Sequence, residues 1–141
     1  MGHEEKRVRV LIADDDQKFR IFIRRVLEAQ ANLAVIGEAQ DGEEAVKKAQ
    51  EMKPEMVIMD MDMPGIDGLE AARRVKASLP RAVVVMFSPA EGTAYRDAAA
   101  RSGADEFLLK TASILQIHST IRGCCPSKGV SGEFCGERQS Q

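Results

Sequence analysis

The chain has 141 residues, of which 44% are hydrophobic and 30% charged, and its net charge is -2. Those values suit one domain with a continuous core and exclude the global basic field of a non-specific nucleic-acid binder. No apolar run approaches the roughly 20 residues of a membrane helix, and Met1 to Arg9 is charged without a secretory apolar region, so a cytoplasmic location is expected.

Val8 to Ala13 (VRVLIA) is apolar except for Arg9 and reads as a strand buried on both faces, as in a parallel sheet. Phe19, Phe22, Ile23, Val26 and Leu27 then recur at helical spacing. Leu33 to Ala39 is a second strand. Asp41 with Glu44 is a capping-box pair that opens a helix with Ala45, Val46 and Ala49 inward, ended by Pro54. Met56 to Met59 is a short third strand. Asp67 with Glu70 opens a helix to Leu79 that turns Leu69, Ala72 and Val75 inward. Ala82 to Phe87 is the fourth strand, and Glu91 to Arg101 an alanine-rich helix stopped by Gly103. Phe107 to Leu109 is the fifth strand, and Ile114, Ile117 and Ile121 mark a fifth helix.

Five strands alternating with five helices predict an α/β fold with a parallel sheet covered on both faces. From Gly123 the composition turns to Gly, Ser, Cys, Gln and charge, so 1–122 is read as one domain and 123–141 as a flexible tail or truncated linker. The three cysteines, Cys124, Cys125 and Cys135, fall in that tail without C-x-x-C spacing, so idle thiols are expected rather than a zinc site or disulfide.

Ligands of open parallel sheets bind at the carboxyl ends of the strands. Asp14, Asp15 and Asp16 follow strand one, Asp60 ends strand three with Asp62 two residues on, Ser88 follows strand four, and Lys110 follows strand five. Clustered carboxylates repel one another and call for a hard, oxygen-loving cation, magnesium above all. A divalent ion beside a carboxylate, an ammonium and a hydroxyl is equipment for holding a transferred phosphoryl group, and an aspartate can itself be the nucleophile. Asp16 reads instead as a helix N-cap. A calcium loop starting at Asp60 fails, because Pro64 and Ala71 stand where acidic ligands are needed. The D-x-D start of haloacid dehalogenase-like phosphatases fails on order, because here the acidic pair precedes it.

The segments VLIADDD, PEMVIMDMDMPGIDG, VVVMFS and DEFLLK, in that order, resemble the four signatures of response-regulator receiver domains, over roughly Arg7 to Arg122. The resemblance implies a flavodoxin-like five-stranded sheet in order 2-1-3-4-5. It implies Asp60 as phosphoacceptor and Mg2+ as cofactor, held directly by Asp15, largely through water by Asp14, and by the backbone carbonyl of Asp62. Lys110 would pair with the carboxylate and then with the phosphoryl oxygens, Ser88 would be the switch hydroxyl, and Phe107 the switch aromatic. The donor would be a phosphohistidine of a sensor histidine kinase or phosphotransfer protein. His3 and His118 are read as surface residues, not donors. A homodimer through the face of helix four, strand five and helix five is one assembly the family allows.

Three positions depart from the family pattern. Pro89 follows the switch hydroxyl and lacks the N–H that normally reaches a phosphoryl oxygen. Thr111 replaces a frequent proline after the lysine, and Phe107 replaces a frequent tyrosine. The expected function is a phosphorylation switch of a two-component system, free-standing or the receiver part of a transcriptional regulator, that catalyses only its own phosphorylation and dephosphorylation. The rivals are a degenerate receiver used as a phosphate-independent docking module and a small aspartyl-phosphate phosphatase. Neither direct nucleic-acid binding by this chain nor membrane binding is expected.

Overall fold

Five mostly apolar runs form the strands, and that dictates the architecture: β1 Val8–Ala13, β2 Leu33–Ala39, β3 Met56–Asp60, β4 Val83–Ser88 and β5 Glu106–Leu109. The computed structural model, which describes residues 7–126, pairs them all in parallel in the order β2-β1-β3-β4-β5. Between them run α1 Gln17–Glu28, α2 Gly42–Met52, α3 Gly68–Ser78, α4 Thr93–Arg101 and α5 Ile114–Cys124. The expected α/β class and strand order are those observed.

Alternation along each strand sends side chains to two cores, one on each face. One face buries Val10, Ile12, Ile58 and Phe87 under Ile23 and Leu27 of α1 and Ile117 and Ile121 of α5. The other buries Leu11, Met59 and Met86 under Ala45 of α2, Ala72 and Val75 of α3 and Ala99 of α4. Each fully buried Leu or Ile stabilises by about 2 kcal/mol relative to exposure, so the central strands anchor the rim that their ends present.

The helices start where short polar side chains meet free N–H groups. Asp16, Asp41, Asp67 and Ser113 each accept from a backbone N–H of the following turn. The Asp41 cap is only half of the expected box, since the Glu44 carboxylate accepts from Gln40 N–H rather than from the cap residue. The complete capping box is Ser113 with Gln116. The fourth helix begins at Thr93, not Glu91, because Gly92 takes a φ of 139° that no helix continues.

Three further expectations are corrected. The fifth helix runs past the expected boundary at Arg122 to Cys124, and both Cys124 and Cys125 are buried in the α1–α5 core. They are packing residues of the domain, small and apolar enough to close its lower end; Cys135 and His3 lie outside the described residues. His118 is half-buried, with Nε2 3.1 Å from the Val26 carbonyl, and ties α5 to α1. Phe22 and Ile114, which share the helical apolar spacing of α1 and α5, are exposed rather than buried with the other residues of that spacing.

Candidate functional site

The carboxyl ends of β1, β3, β4 and β5 bring together the residues expected there. Register explains it: Ala13 pairs with Met59, Asp60 with Phe87, and Ser88 with Leu109. Asp14, Asp60, Ser88 and Lys110 therefore leave adjacent strands at one level. Asp14 is 1% and Asp60 3% exposed, while Asp15 projects into solvent.

The Lys110 ammonium lies 2.7 Å from Asp14 Oδ2 and 3.5 Å from Asp60 Oδ2. It also lies 4.7 Å from the centre of the Phe19 ring, which itself packs edge-on against Phe87. The lysine is thus steered by two carboxylates and an aromatic face. Its own strand is tied to β4 by Lys110 N–H to the Ser88 carbonyl at 2.9 Å. Asp60 Oδ1 accepts from Asp62 N–H at 3.3 Å, and Asp14 Oδ1 from Asp16 N–H at 2.8 Å.

The electrostatics follow from burial. Desolvation, and then the Asp14 carboxylate, push the Asp60 pKa from 3.8 up to about 7, against the pull of Lys110 and the Asp62 amide. Burial alone would lower the Lys110 pKa, but the Asp14 and Asp60 carboxylates outweigh it and raise it. One ammonium thus leaves the acidic rim short of positive charge. One carboxylate oxygen from each of Asp14, Asp15 and Asp60 lies within 4.8 Å of the others. Magnesium spaces its ligands about 3–4 Å apart, so this set fits one ion when one of the acids binds through water.

Ser88 is fully buried, and its hydroxyl donates to the Ala90 carbonyl at 2.7 Å and accepts from Ala90 N–H at 3.2 Å. Pro89 bridges that turn from the exposed side. Phe107 is half-buried against the α2–α4 core, with the Arg96 guanidinium 4.6 Å from its ring centre. Thr111 is exposed, and its loop closes through Ala112 N–H to the Leu109 carbonyl at 2.9 Å. Asp62 is exposed beside Asp60.

Two residues of the site escaped the sequence reading. Gly68, at the start of α3, packs so close that a Cβ there would stand 2.0 Å from the Asp60 carbonyl oxygen. Its N–H donates to the Met61 carbonyl at 2.9 Å, pinning the loop after Asp60. Arg20, buried in α1, donates from Nη1 to the Asp14 carbonyl at 2.6 Å. Gly68 closes the segment PEMVIMDMDMPGIDG, but nothing in its type alone says that it must pack on the main chain of Asp60, at the end of the preceding strand. Arg20 did leave a signal, since it lies in phase with the buried Ile23 and Leu27.

Residues 10–122 match the family model of the response regulator receiver domain. The chain is 39% identical over 117 residues to the response regulator protein VraR of Staphylococcus saprophyticus, covering 82% of this chain and 55% of that protein. It is also 39% identical over 115 residues to the response regulator GacA of Pseudomonas viridiflava, covering 82% and 54%. It thus spans about half the length of the curated relatives it matches. Among solved structures, the response regulator domain of Thermotoga maritima CheB superposes with a TM-score of 0.76 at 32% identity, over 89% of this chain and 98% of that one. A LuxR-family two-component response regulator from Aurantimonas sp. SI85-9A1 superposes with a TM-score of 0.80 at 27% identity, over 95% and 96%.

Proposed function

This chain belongs to the response regulator receiver domain family of two-component systems, and from that premise we propose that Asp60 accepts a phosphoryl group from a phosphohistidine of a partner kinase or phosphotransfer protein. The supporting observation is the Lys110 ammonium set between Asp14 Oδ2 at 2.7 Å and Asp60 Oδ2 at 3.5 Å, on a rim where three acids converge. An Asp60 oxygen attacks phosphorus, the phosphorus–nitrogen bond to the donor imidazole breaks, and an acyl phosphate forms. Lys110 follows the negative charge from the carboxylate to a phosphoryl oxygen. Asp15 would hold Mg2+ directly, Asp14 largely through water, and the Asp62 main-chain carbonyl would complete the protein ligands. Bound Mg2+ supplies positive charge that favours ionised Asp60 and neutralises phosphoryl oxygens.

In this reading Ser88 leaves Ala90 for the phosphoryl group, and Phe107 moves with it. The face made by α4, β5 and α5 then changes its affinity for a partner, which is a second copy of the chain or an output segment of a longer protein. The protein turns over nothing but its own aspartyl phosphate, and it works in the cytoplasm. The first test is acid-labile labelling by acetyl phosphate with Mg2+, which Asp60→Asn should abolish. Stoichiometric label retained in that variant refutes the assignment. Pro89 and the engaged Ser88 hydroxyl favour one rival, a docking module indifferent to phosphate. Magnesium-dependent saturable binding of beryllofluoride excludes that rival, and its absence supports it.

A further inference from the structure

Arg20 is the one buried Lys or Arg among the described residues, at 8% exposure. Burying a guanidinium costs several kcal/mol unless its donors are satisfied. Here Nη1 donates to the Asp14 carbonyl at 2.6 Å and Nε to Glu38 Oε1 at 2.9 Å. Glu38, in β2, is itself held, since its Oε2 accepts from Arg24 Nε at 2.9 Å. The Glu38 main-chain carbonyl accepts from Lys48 Nζ of α2 at 2.5 Å. The chain from Asp14 through Arg20 to Glu38 therefore ends on a residue fixed from two helices.

The anchored atom matters more than the ion pair. The Asp14 carbonyl belongs to the peptide plane that joins Asp14 to Asp15, because the six atoms of a peptide unit move as one. Holding that oxygen sets ψ of Asp14 and φ of Asp15. Those two angles set the directions in which both side chains leave the rim. Asp14 is otherwise restrained by its N–H to the Ala39 carbonyl at 3.0 Å and by its carboxylate, not at this plane. The guanidinium suits the task because its forked donors meet two acceptors at once, which a single ammonium on a shorter reach does not.

We propose that Arg20 is a positioning residue, clamping the Asp14–Asp15 peptide plane to Glu38 so that the two acids present their oxygens to one divalent cation. The role rests on the metal reading of the acid cluster and extends it to the residues behind that cluster. It separates Arg20 from Arg24, which shares the Glu38 anchor but does not touch Asp14.

The test compares charge-conserving variants of the full chain: Arg20→Lys, Glu38→Asp and, as control, Arg24→Lys. Mg2+ affinity is read from the amide chemical shifts of Asp14, Asp15 and Met61 during titration with MgCl2, and folding from urea unfolding of each variant. Loss of a supporting residue behind metal ligands weakens binding about 10- to 100-fold. That is the expectation for Arg20→Lys, with a smaller loss for Glu38→Asp and the smallest for Arg24→Lys, which touches Glu38 but not Asp14. With acetyl phosphate, half-saturating Mg2+ should rise while the rate at saturating Mg2+ is kept. Unchanged affinity in a folded Arg20→Lys protein, or equal losses in Arg20→Lys and Arg24→Lys, overturns the role of Arg20 alone. If Arg20→Lys does not fold, Glu38→Asp decides, and unchanged affinity there overturns the clamp. An unsubstituted protein without saturable Mg2+ shifts overturns the metal reading, and the clamp falls with it.

Discussion

Replacing Asp60 with Asn should stabilise the metal-free protein, and by an amount that grows with pH. Asp60 is 3% exposed, and burial followed by the Asp14 carboxylate moves its pKa from 3.8 to about 7. A displacement of about three pH units, at about 1.4 kcal/mol each, is about 4 kcal/mol against the ionised form in the folded state. The folded protein therefore holds this proton more tightly than the unfolded chain does. The stability Asp60 contributes is fully present below about pH 4 and is lost as pH rises through about 7. Asn carries no charge at any pH. The stability gained by Asp60→Asn should then be larger by about 3 kcal/mol at about pH 8 than at about pH 5. Taking the difference between the two proteins cancels the remaining titrations. Those include Glu38 and Glu44, whose carboxyls are held below their usual range by arginine and backbone partners despite burial. Urea unfolding followed by circular dichroism in the presence of a chelator gives both curves. Saturating Mg2+ should shrink the gap, because the cation offsets the charge that Asn removes. A stability difference that does not change between pH 5 and pH 8 refutes the reasoning, as does an Asn variant less stable than its parent at pH 8.

The acid triplet makes a sharper division. Asp15→Ala should weaken Mg2+ binding far more than Asp16→Ala, since Asp16 is spent on capping Lys18 N–H; equal affinities in a magnesium titration would refute Asp15 as the ligand that sets the triplet apart. Gly68→Ala places a Cβ 2.0 Å from the Asp60 carbonyl oxygen, so a loss of at least about 2 kcal/mol in urea unfolding is expected. Unchanged stability there contradicts the close approach of α3 to β3. Beryllofluoride with Mg2+ should move amide shifts through Glu91 to Arg122, whereas changes confined to the rim around Asp60 count against an output face.

The strands and the rim were legible because two strong regularities point the same way. Continuous apolar runs mark parallel strands, and the polar residues ending them share one edge. The side chains behind the rim were harder to read, because they are charges inside apolar patterns. Arg9 looked like an interruption of β1, yet its Nη1 donates to the Lys53 carbonyl at 2.8 Å and its Nη2 to the Met52 carbonyl, closing the end of α2. Arg20 occupies an apolar phase of α1 for the same kind of reason, and nothing local names Asp14 as its partner. The end of α5 was misjudged on composition. Gly123 and two cysteines resemble a linker, but Cys124 and Cys125 fill the base of the α1–α5 core. Composition reports the average of a window, whereas burial is decided residue by residue.

Of the three departures visible in the sequence, Pro89 is the one to which the geometry gives a magnitude. The residue after the switch hydroxyl offers no N–H. The next amide, on Ala90, is already engaged by Ser88 Oγ at 3.2 Å, and that hydroxyl donates to the Ala90 carbonyl at 2.7 Å. A phosphoryl group on Asp60 must therefore draw Ser88 out of two hydrogen bonds while finding no amide at position 89. Proline also biases Ser88 towards extended backbone angles and stiffens the turn. A hydrogen bond to a charged group contributes about 1.5–3 kcal/mol, so restoring one donor should tighten beryllofluoride binding by about 10-fold or more. Pro89→Ala supplies that donor, and the exposed position of Pro89 means that no core packing is lost. Affinity measured by titration with Mg2+ present should rise, and the shifts of α4 and β5 at saturation should move further towards their limiting values. If both quantities stay where they are in the unsubstituted protein, Ser88, Lys110 and the remaining amides already satisfy the phosphoryl oxygens, and Pro89 is neutral to the switch.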